Sequence, residues 1–422
     1  MIFIFKKSYY ISLFIISFMI DHIFSFELGS IFISPFKITS IVLSLIFIVE
    51  GKYYLQIKFS SEKGQRCLLL FILFNFLQMI SLFYSPVSLS QKVNYLMMHF
   101  TAIIIVVGFF NILKKTNTKD TLKVISKNLS VFFLIEISLL TLEFLSNGRG
   151  SLLNIGLLNN PDLDGYRMVG FHWERLYYAE YLILGFLAVT FKKWKKRLLY
   201  FLFLTVLILV YLSDSYTGQL GIVMLLILFF VDKARMRIKK RFMLIIFALL
   251  AIGYILPSTL SMLNRSDRDF REIRKETYFQ DSMETNWRIY SSTTLLKKFI
   301  DSPTIIGEGY KSNNLFLKGI NKSWKAVSAH TFVSILHDQG ILGIILFFLI
   351  LQIQVSTNLN ILRNLNKDAS NKLLYSFVFM FNVLMILRFI FYYHSINQWI
   401  YLIAIPLNTI YWEHKKFPFI EV

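Results

Sequence analysis

VNYLMMHFTAIIIVVGFFNIL, residues 93–113, contains no Asp, Glu, Lys or Arg. As a helix it is long enough to cross the roughly 30 Å hydrocarbon core of a bilayer. A basic gap, KKTNTKDTLKVISK (114–127), follows it directly, and the chain then turns apolar again. This alternation of apolar run and short basic gap recurs from one end of the sequence to the other.

Composition agrees with that reading. The 422 residues are 55% hydrophobic and include 43 Phe, while only 17% are charged. A soluble domain of this length needs neither so much Phe nor so little charge. Lipid offers backbone groups no hydrogen-bond partner, so the helix is the expected spanning unit. The fold class is therefore an all-α polytopic membrane protein with about twelve transmembrane helices. The expected spans are 8–26, 31–49, 67–84, 93–113, 125–146, 172–191, 198–213, 217–231, 242–256, 331–352, 373–393 and 396–412. Pro35 and Lys37 weaken the second. The first resembles a signal peptide but is read as uncleaved, because no small-residue cleavage site follows it.

The net charge of +20 raises the question of nucleic acid, and its distribution answers it. More than half of the Lys and Arg fall in gaps on one side of the expected bundle. These are Lys6–Lys7, 51–66, 114–127, 192–197, 232–241, 353–372 and 414–416. The positive-inside rule makes that side cytoplasmic and puts both termini there. No nucleic-acid partner is expected; membrane lipids are. A single cysteine, Cys67, excludes an intrachain disulfide.

Two outer segments are long, about 147–171 and about 257–330, and loops of that length are usually functional or disordered. The chain divides into a membrane bundle at 1–256, a large extracytoplasmic loop at 257–330 and a second bundle segment at 331–422. Within the loop, NWRIYSSTTLLKKFI (286–300) has the pattern of an amphipathic helix lying on the outer leaflet.

An ionisable group inside a span is costly unless paired or hydrated, so each is a functional candidate by default. Most gather at the outer side. Arg167, His172, Glu174, Arg175 and Glu180 lie in GYRMVGFHWERLYYAEYLIL; Asp214 and Ser215 lie in LSDSYTG. Arg288 is in the large loop. His330, His337 and Asp338 open the tenth span, and Arg388 and His394 end the eleventh. Each has a plainer reading. Arg388 can snorkel to headgroups, Glu174 and Arg175 can form an interfacial pair, and Asp214 can cap a helix. Glu136 and Glu143 read as interhelical hydrogen-bonding groups. His330, Ser334 and His337 stand at i, i+4 and i+7 and so share one helix face, with Gly340 and Gly343 below them for close backbone approach.

No P-loop, dinucleotide fingerprint or nucleophile elbow is present, and no metal-ligand spacing appears. No cofactor and no metal are expected. Several Arg with one or two His at an outward rim suit an anionic, phosphate-bearing substrate. Loop Tyr and Trp suit sugar faces. Together these fit transfer of a sugar chain from a lipid diphosphate.

Those same residues carry a resemblance. NWRIYSSTTLLKKFIDSPTIIGEGYKSNNLF (286–316) followed by AHTFVSILHDQGILGIILFF (329–348) resembles the signature of the O-antigen polymerase and ligase superfamily. The matching positions are Arg288, Pro303, Gly307, Gly309, His330, Leu336, Gly340 and Gly343. RMVGFHWERLYYAEYL is similar to the family's R-x-x-G-x-x-x-E/N segment. LSDSYTGQLG resembles its S-x-T/A-G helix opening, with Tyr216 where Arg is common.

The resemblance implies a glycosyltransferase class C-like bundle with an outer loop over the site. It implies polymerisation of undecaprenyl-diphosphate-linked oligosaccharide units at the outer face of a bacterial cytoplasmic membrane. A chain-length regulator and a flippase would be the protein partners. His330 and Arg288 would be catalytic; Arg167, Glu174, Arg175, Ser215, His337 and Arg388 would bind substrate. Two other activities fit the sequence. One is a ligase that moves the finished glycan to lipid A core or another acceptor. The other is a flippase for the lipid-linked glycan, against which the absence of internal repeats argues.

Overall fold

The computed structural model describes residues 8–20, 26–28, 31–116, 118–145, 175–191, 195–212, 216–234, 291–292, 294–320, 331–365, 371–391 and 399–416. Among them the fold is helical apart from one small antiparallel hairpin. Its strands are β1 (Phe26–Leu28) and β2 (Ile31–Ile33), with Phe26 opposite Ile33. The helices, in chain order, are α1 (Ser8–Met19), α2 (Pro35–Val49), α3 (Gly51–Tyr54), α4 (Glu62–Tyr84), α5 (Leu89–Lys115) and α6 (Thr118–Leu145). They continue with α7 (Arg175–Thr190), α8 (Lys196–Leu212), α9 (Tyr216–Ala234), α10 (Ser312–Ile320), α11 (Thr331–Asn364), α12 (Lys372–Phe391) and α13 (Trp399–Lys416).

Each expected span has a helix at its place except the ninth, 242–256, which lies outside the described residues. Among the described residues, three helices are long and apolar enough to cross a membrane by themselves: α4, α5 and α11. Shorter apolar helices occupy Tyr9–Phe18, Pro35–Val49, Tyr178–Thr190 and Thr217–Phe229.

Three of the boundaries that differ from expectation are informative. The first span was expected to reach residue 26, but α1 stops at Met19 and the hairpin begins at Phe26. The second does not begin at residue 31. It begins at Pro35, which stands in the first turn behind the N-cap Ser34, whose hydroxyl accepts the Lys37 N–H. A proline there removes only an N–H that the first turn leaves unpaired, so it starts the span and does not weaken it. The stretch from 353, expected as a cytoplasmic gap, continues α11 to Asn364. Three of its polar side chains, Gln354, Thr357 and Asn358, are buried inside the protein. The Trp412 indole N–H donates to Thr357 Oγ1 at 2.9 Å, and Asn382 Nδ2 donates to Asn358 Oδ1 at 3.2 Å.

Sequence also sets other helix starts. Ser88 and Gln91 form a capping box at α5, and Ser61 caps α4 through the Gly64 N–H. The N-terminal end of α4 gains a second anchor. The Glu413 carboxylate on α13 accepts from the Ser60 and Ser61 N–H groups and pairs with Lys114 at 3.0 Å. An anion at a helix N-terminus is favoured by the dipole.

Packing places α12 at the centre. It contacts α6, α7, α9, α11 and α13. Residues 376–388 of α12 are all buried, as are 178–189 of α7 and 400–413 of α13. Apolar side chains face outward on the peripheral helices instead, among them Val49, Phe83, Phe201, Tyr211 and Phe348. Apolar outside as well as inside is what a lipid-facing helix requires.

Candidate functional site

The site forms where the α4–α5 turn, the N-terminal half of α11 and residues 294–320 meet. Helix α11 is not continuous. Gly340 has φ +66° and ψ −161°, a conformation open essentially to glycine alone. In a regular helix the His337 and Asp338 carbonyls would accept the Ile341 and Leu342 N–H groups. Here the His337 carbonyl accepts the Glu308 N–H at 2.8 Å and the Asp338 carbonyl accepts the Gly309 N–H at 3.0 Å. Beyond the break, the Ile341 N–H donates to the Thr304 carbonyl at 3.2 Å and the Leu342 N–H to the Ile305 carbonyl at 3.1 Å. Residues 304–309 are thus threaded into the break and satisfy both of its edges. Irregular backbone at membrane depth is tolerated only when protein or water meets its polar groups, and here protein does.

Glycine makes the threading possible. Gly307 (φ +84°) and Gly309 (φ +105°) are also left-handed. A Cβ on Gly307 would lie 2.4 Å from the Asp338 carbonyl carbon, and one on Gly309 would lie 2.5 Å from the Ser85 Cα. Close approach at Gly340 was expected, and the loop at Ile305 supplies it. Gly343 differs: its nearest neighbours are side-chain atoms of Gln339 and Ile335 in its own helix.

Past the glycines the chain turns into α10 through Lys311, a non-glycine residue with φ +65°. Asp338 holds this turn. Its carboxylate accepts the Lys311 N–H (2.9 Å), the Asn313 N–H (2.9 Å) and the Ser312 hydroxyl (3.0 Å). One buried anion thereby satisfies the orphan donors of a helix start on another element. Desolvation draws the Lys311 ammonium below its ordinary pKa, while Asp338 pulls it back up. Asp338→Ala would strand those donors. It is expected to destabilise the protein by about 1–3 kcal/mol or more, read as a lower melting temperature of the solubilised protein. Asp338→Asn, which keeps one acceptor oxygen, should fall between. A wild-type melt for Asp338→Ala would mean that α10 is held by something else.

His337 is 2% exposed and sits inside the same knot. Its Nδ1 lies 3.2 Å from both Asp338 Oδ1 and Ser312 Oγ, and its Nε2 lies 3.5 Å from Lys298 Nζ. The Phe316 ring covers one side of the imidazole at 5.7 Å between centroids. An ammonium can only donate, so Nε2 is the accepting nitrogen and Nδ1 carries the proton. Lys298 also pairs with Glu308 at 3.2 Å and lies 4.3 Å over the Phe316 ring. It belongs to a helical stretch at 294–301. That stretch buries Leu295 and brings Lys298 to His337, so one of its faces packs on protein. On the α5 side, Tyr310 stacks edge-on against Tyr95 and His99. His99 in turn bonds to Asn75 Oδ1 through Nδ1 at 3.0 Å.

Arg388 occupies a separate position at the C-terminal end of α12. Its Nε and Nη2 donate to the two carboxylate oxygens of Glu180 on α7, each at 2.5 Å, and both side chains are 0% exposed. The expectation of a substrate-binding Arg388 therefore meets a guanidinium already committed to a bidentate partner.

Of the other expected residues, Arg167, Glu174, Ser215, Arg288 and His330 lie outside the described residues. Arg175 opens α7 by its backbone position alone. Among the described residues no three His, Cys, Asp or Glu side chains gather as metal ligands would. Lys298, Glu308, Ser312 and Lys311 were not foreseen as site residues. The only sequence signal for them was their place beside G-x-G in an otherwise polar loop.

The bundle and its knot define a helical membrane protein with a broken helix lined by ionisable groups. Residues 201–348 match the family model described as O-antigen ligase. That similarity agrees with the resemblance its motifs carry to the O-antigen polymerase and ligase superfamily. A comparison with curated proteins finds no match.

Proposed function

We propose that the chain is a membrane glycosyltransferase that polymerises oligosaccharide repeat units carried on undecaprenyl diphosphate. The work is done at the outer face of the bacterial cytoplasmic membrane, within a bundle of about twelve spans with both termini inside. The observation that carries this reading is the family match over 201–348, which takes in the whole of the threaded knot as well as Arg288 and His330. The match lends no support to the flippase reading.

In the proposed reaction a hydroxyl of the acceptor sugar attacks the anomeric carbon of the donor chain. A glycosidic C–O bond forms, the C–O bond to the lipid diphosphate breaks, and the diphosphate leaves with the electron pair. His330 takes the hydroxyl proton. Arg288, with Arg167, stabilises the charge on the leaving group. Glu174, Arg175 and Ser215 are assigned to substrate binding. A flippase supplies the lipid-linked units, and a chain-length regulator acts on the product.

Arg288→Ala and His330→Ala should each lower the rate by about 10²–10³. Surface polymer would vanish while protein abundance stays normal. Wild-type polymer from either variant would overturn the role given to that residue.

Transfer of the finished glycan to lipid A core or another acceptor is the second reading, favoured by the description of the family model itself. Gene deletion separates the two. A surface ladder collapsed to a single repeat on its normal acceptor means polymerase. Full-length chains stranded on undecaprenyl diphosphate mean ligase. Single units trapped on the cytoplasmic leaflet would defeat both.

A further inference from the structure

We infer that Lys298 is a diphosphate-receiving group of this site and that Glu308 is the internal anion it releases when the diphosphate arrives. The identity of the anion rests on the function proposed above; the exchange itself rests on geometry.

Lys298 and Glu308 differ from their surroundings. His337 and Asp338 behind them are shut away at 2% and 0% exposure. The Lys298 and Glu308 side chains retain 30% and 40%, so this pair forms the solvent-facing edge of the knot. A partly exposed ion pair of this kind is weak and is readily outcompeted by a ligand of higher charge. A diphosphate offers several strong acceptor oxygens where Glu308 offers two.

The rest of the knot holds the ammonium in place while leaving its partner exchangeable. His337 Nε2 accepts from Lys298 on one side, and the Phe316 ring lies beneath it on another. The Asp338 carboxylate does not compete for Lys298, because it already receives the Lys311 and Asn313 N–H groups and the Ser312 hydroxyl. Glu308 is fixed by its backbone, whose N–H donates to the His337 carbonyl. Only its side chain has to turn for the ammonium to be offered to a ligand. His337 acts here as a positioning residue: the Asp338 contact sets its tautomer, and the tautomer presents an acceptor to Lys298.

Two substitutions with opposite signs test this. The probes are farnesyl diphosphate and inorganic pyrophosphate, titrated into the purified full chain in detergent, with farnesol as the uncharged control. Lys298→Gln should weaken farnesyl diphosphate binding about tenfold or more, the scale of one hydrogen bond to a charged group. Lys298→Arg should restore most of it. Glu308→Gln should tighten binding, because the competing carboxylate is gone. Farnesol binding should respond to neither. If inorganic pyrophosphate shows the same pair of shifts, the diphosphate suffices as ligand; if only the prenyl compound does, the lipid contributes; both support the assignment.

A purely structural latch gives a different pattern. Then Lys298→Gln and Glu308→Gln would weaken binding together, in step with a lower melting temperature, and the inference would be overturned. Should Lys298→Gln fail to fold, Glu308→Gln decides alone, since no latch predicts tighter binding on its loss. Wild-type binding that ignores Lys298 sinks this inference and leaves the proposed function standing. A wild-type chain that binds no prenyl diphosphate sinks both.

Discussion

Gly340→Ala is expected to lower the melting temperature of the solubilised protein steeply and to abolish its activity. Two effects add at this position. At φ +66° and ψ −161° an L-residue is strained by about 1–3 kcal/mol. A Cβ there would also lie 2.4 Å from the Ile305 carbonyl oxygen and 2.6 Å from the Gly307 nitrogen. Those are backbone atoms, which cannot rotate aside as a side chain can, and forced overpacking adds about 1–3 kcal/mol more. The loop would have to withdraw from the break. The His337 and Asp338 carbonyls and the Ile341 and Leu342 N–H groups would then lose the partners they have. Lipid replaces none of them. Gly51→Ala at the start of α3 is the matched control: its added Cβ would meet only Leu55 Cδ1, at an ordinary 3.7 Å. That variant should melt within a degree or two of wild type, in keeping with an unobstructed surface change of about 0.5 kcal/mol or less. Equal melting of Gly340→Ala and Gly51→Ala would rule out the threaded arrangement.

The positions of the helices were legible because each rests on a local rule. Apolar length gave α5, and basic gaps gave the alternation that placed its neighbours. Errors arose where a local rule had two outcomes. Pro35 reads as a breaker in the middle of a span and as a starter at its first position; only the cap at Ser34 decides which. The polar residues after 353 read as a water-exposed gap, yet Gln354 and Asn358 face other buried groups, and composition carries no information about that.

The site was legible in its parts and not in its assembly. Gly307, Gly309 and Gly340 stood out as motif residues, and His337 and Asp338 as charged groups entering a span. That residues 304–309 complete the hydrogen bonding of a broken helix some 30 residues later in the chain is a tertiary fact with no spacing signal. Lys298 was passed over because a lysine in a hydrophilic loop is by default a solvated one. Its meaning comes from Glu308 and His337, which fold against it. Gly343 shows the opposite case: a small residue where close packing was expected, with its own helix's side chains there instead.

Arg388 and Glu180 were each visible as an ionisable group at the rim, and their union across 208 positions was not. The pairing changes what substitution should do. A substrate-binding arginine could be removed with loss of activity and little loss of stability. A fully buried guanidinium with a bidentate carboxylate behaves otherwise, because removing one partner leaves the other charge buried and uncompensated. Arg388→Met and Glu180→Gln are therefore each expected to destabilise the protein by about 3–5 kcal/mol. This would be seen as low abundance in membranes and a large drop in melting temperature. The double replacement Arg388→Met with Glu180→Leu leaves no buried charge behind and should recover most of that loss. Recovery of stability would identify the pair as a tie between α7 and α12. The activity of the stabilised double variant then separates the two roles. If polymer returns with stability, Arg388 serves the fold. If a well-folded double variant makes no polymer, the guanidinium is needed by the reaction as well, and it must exchange Glu180 for substrate, in the way proposed for Lys298 and Glu308.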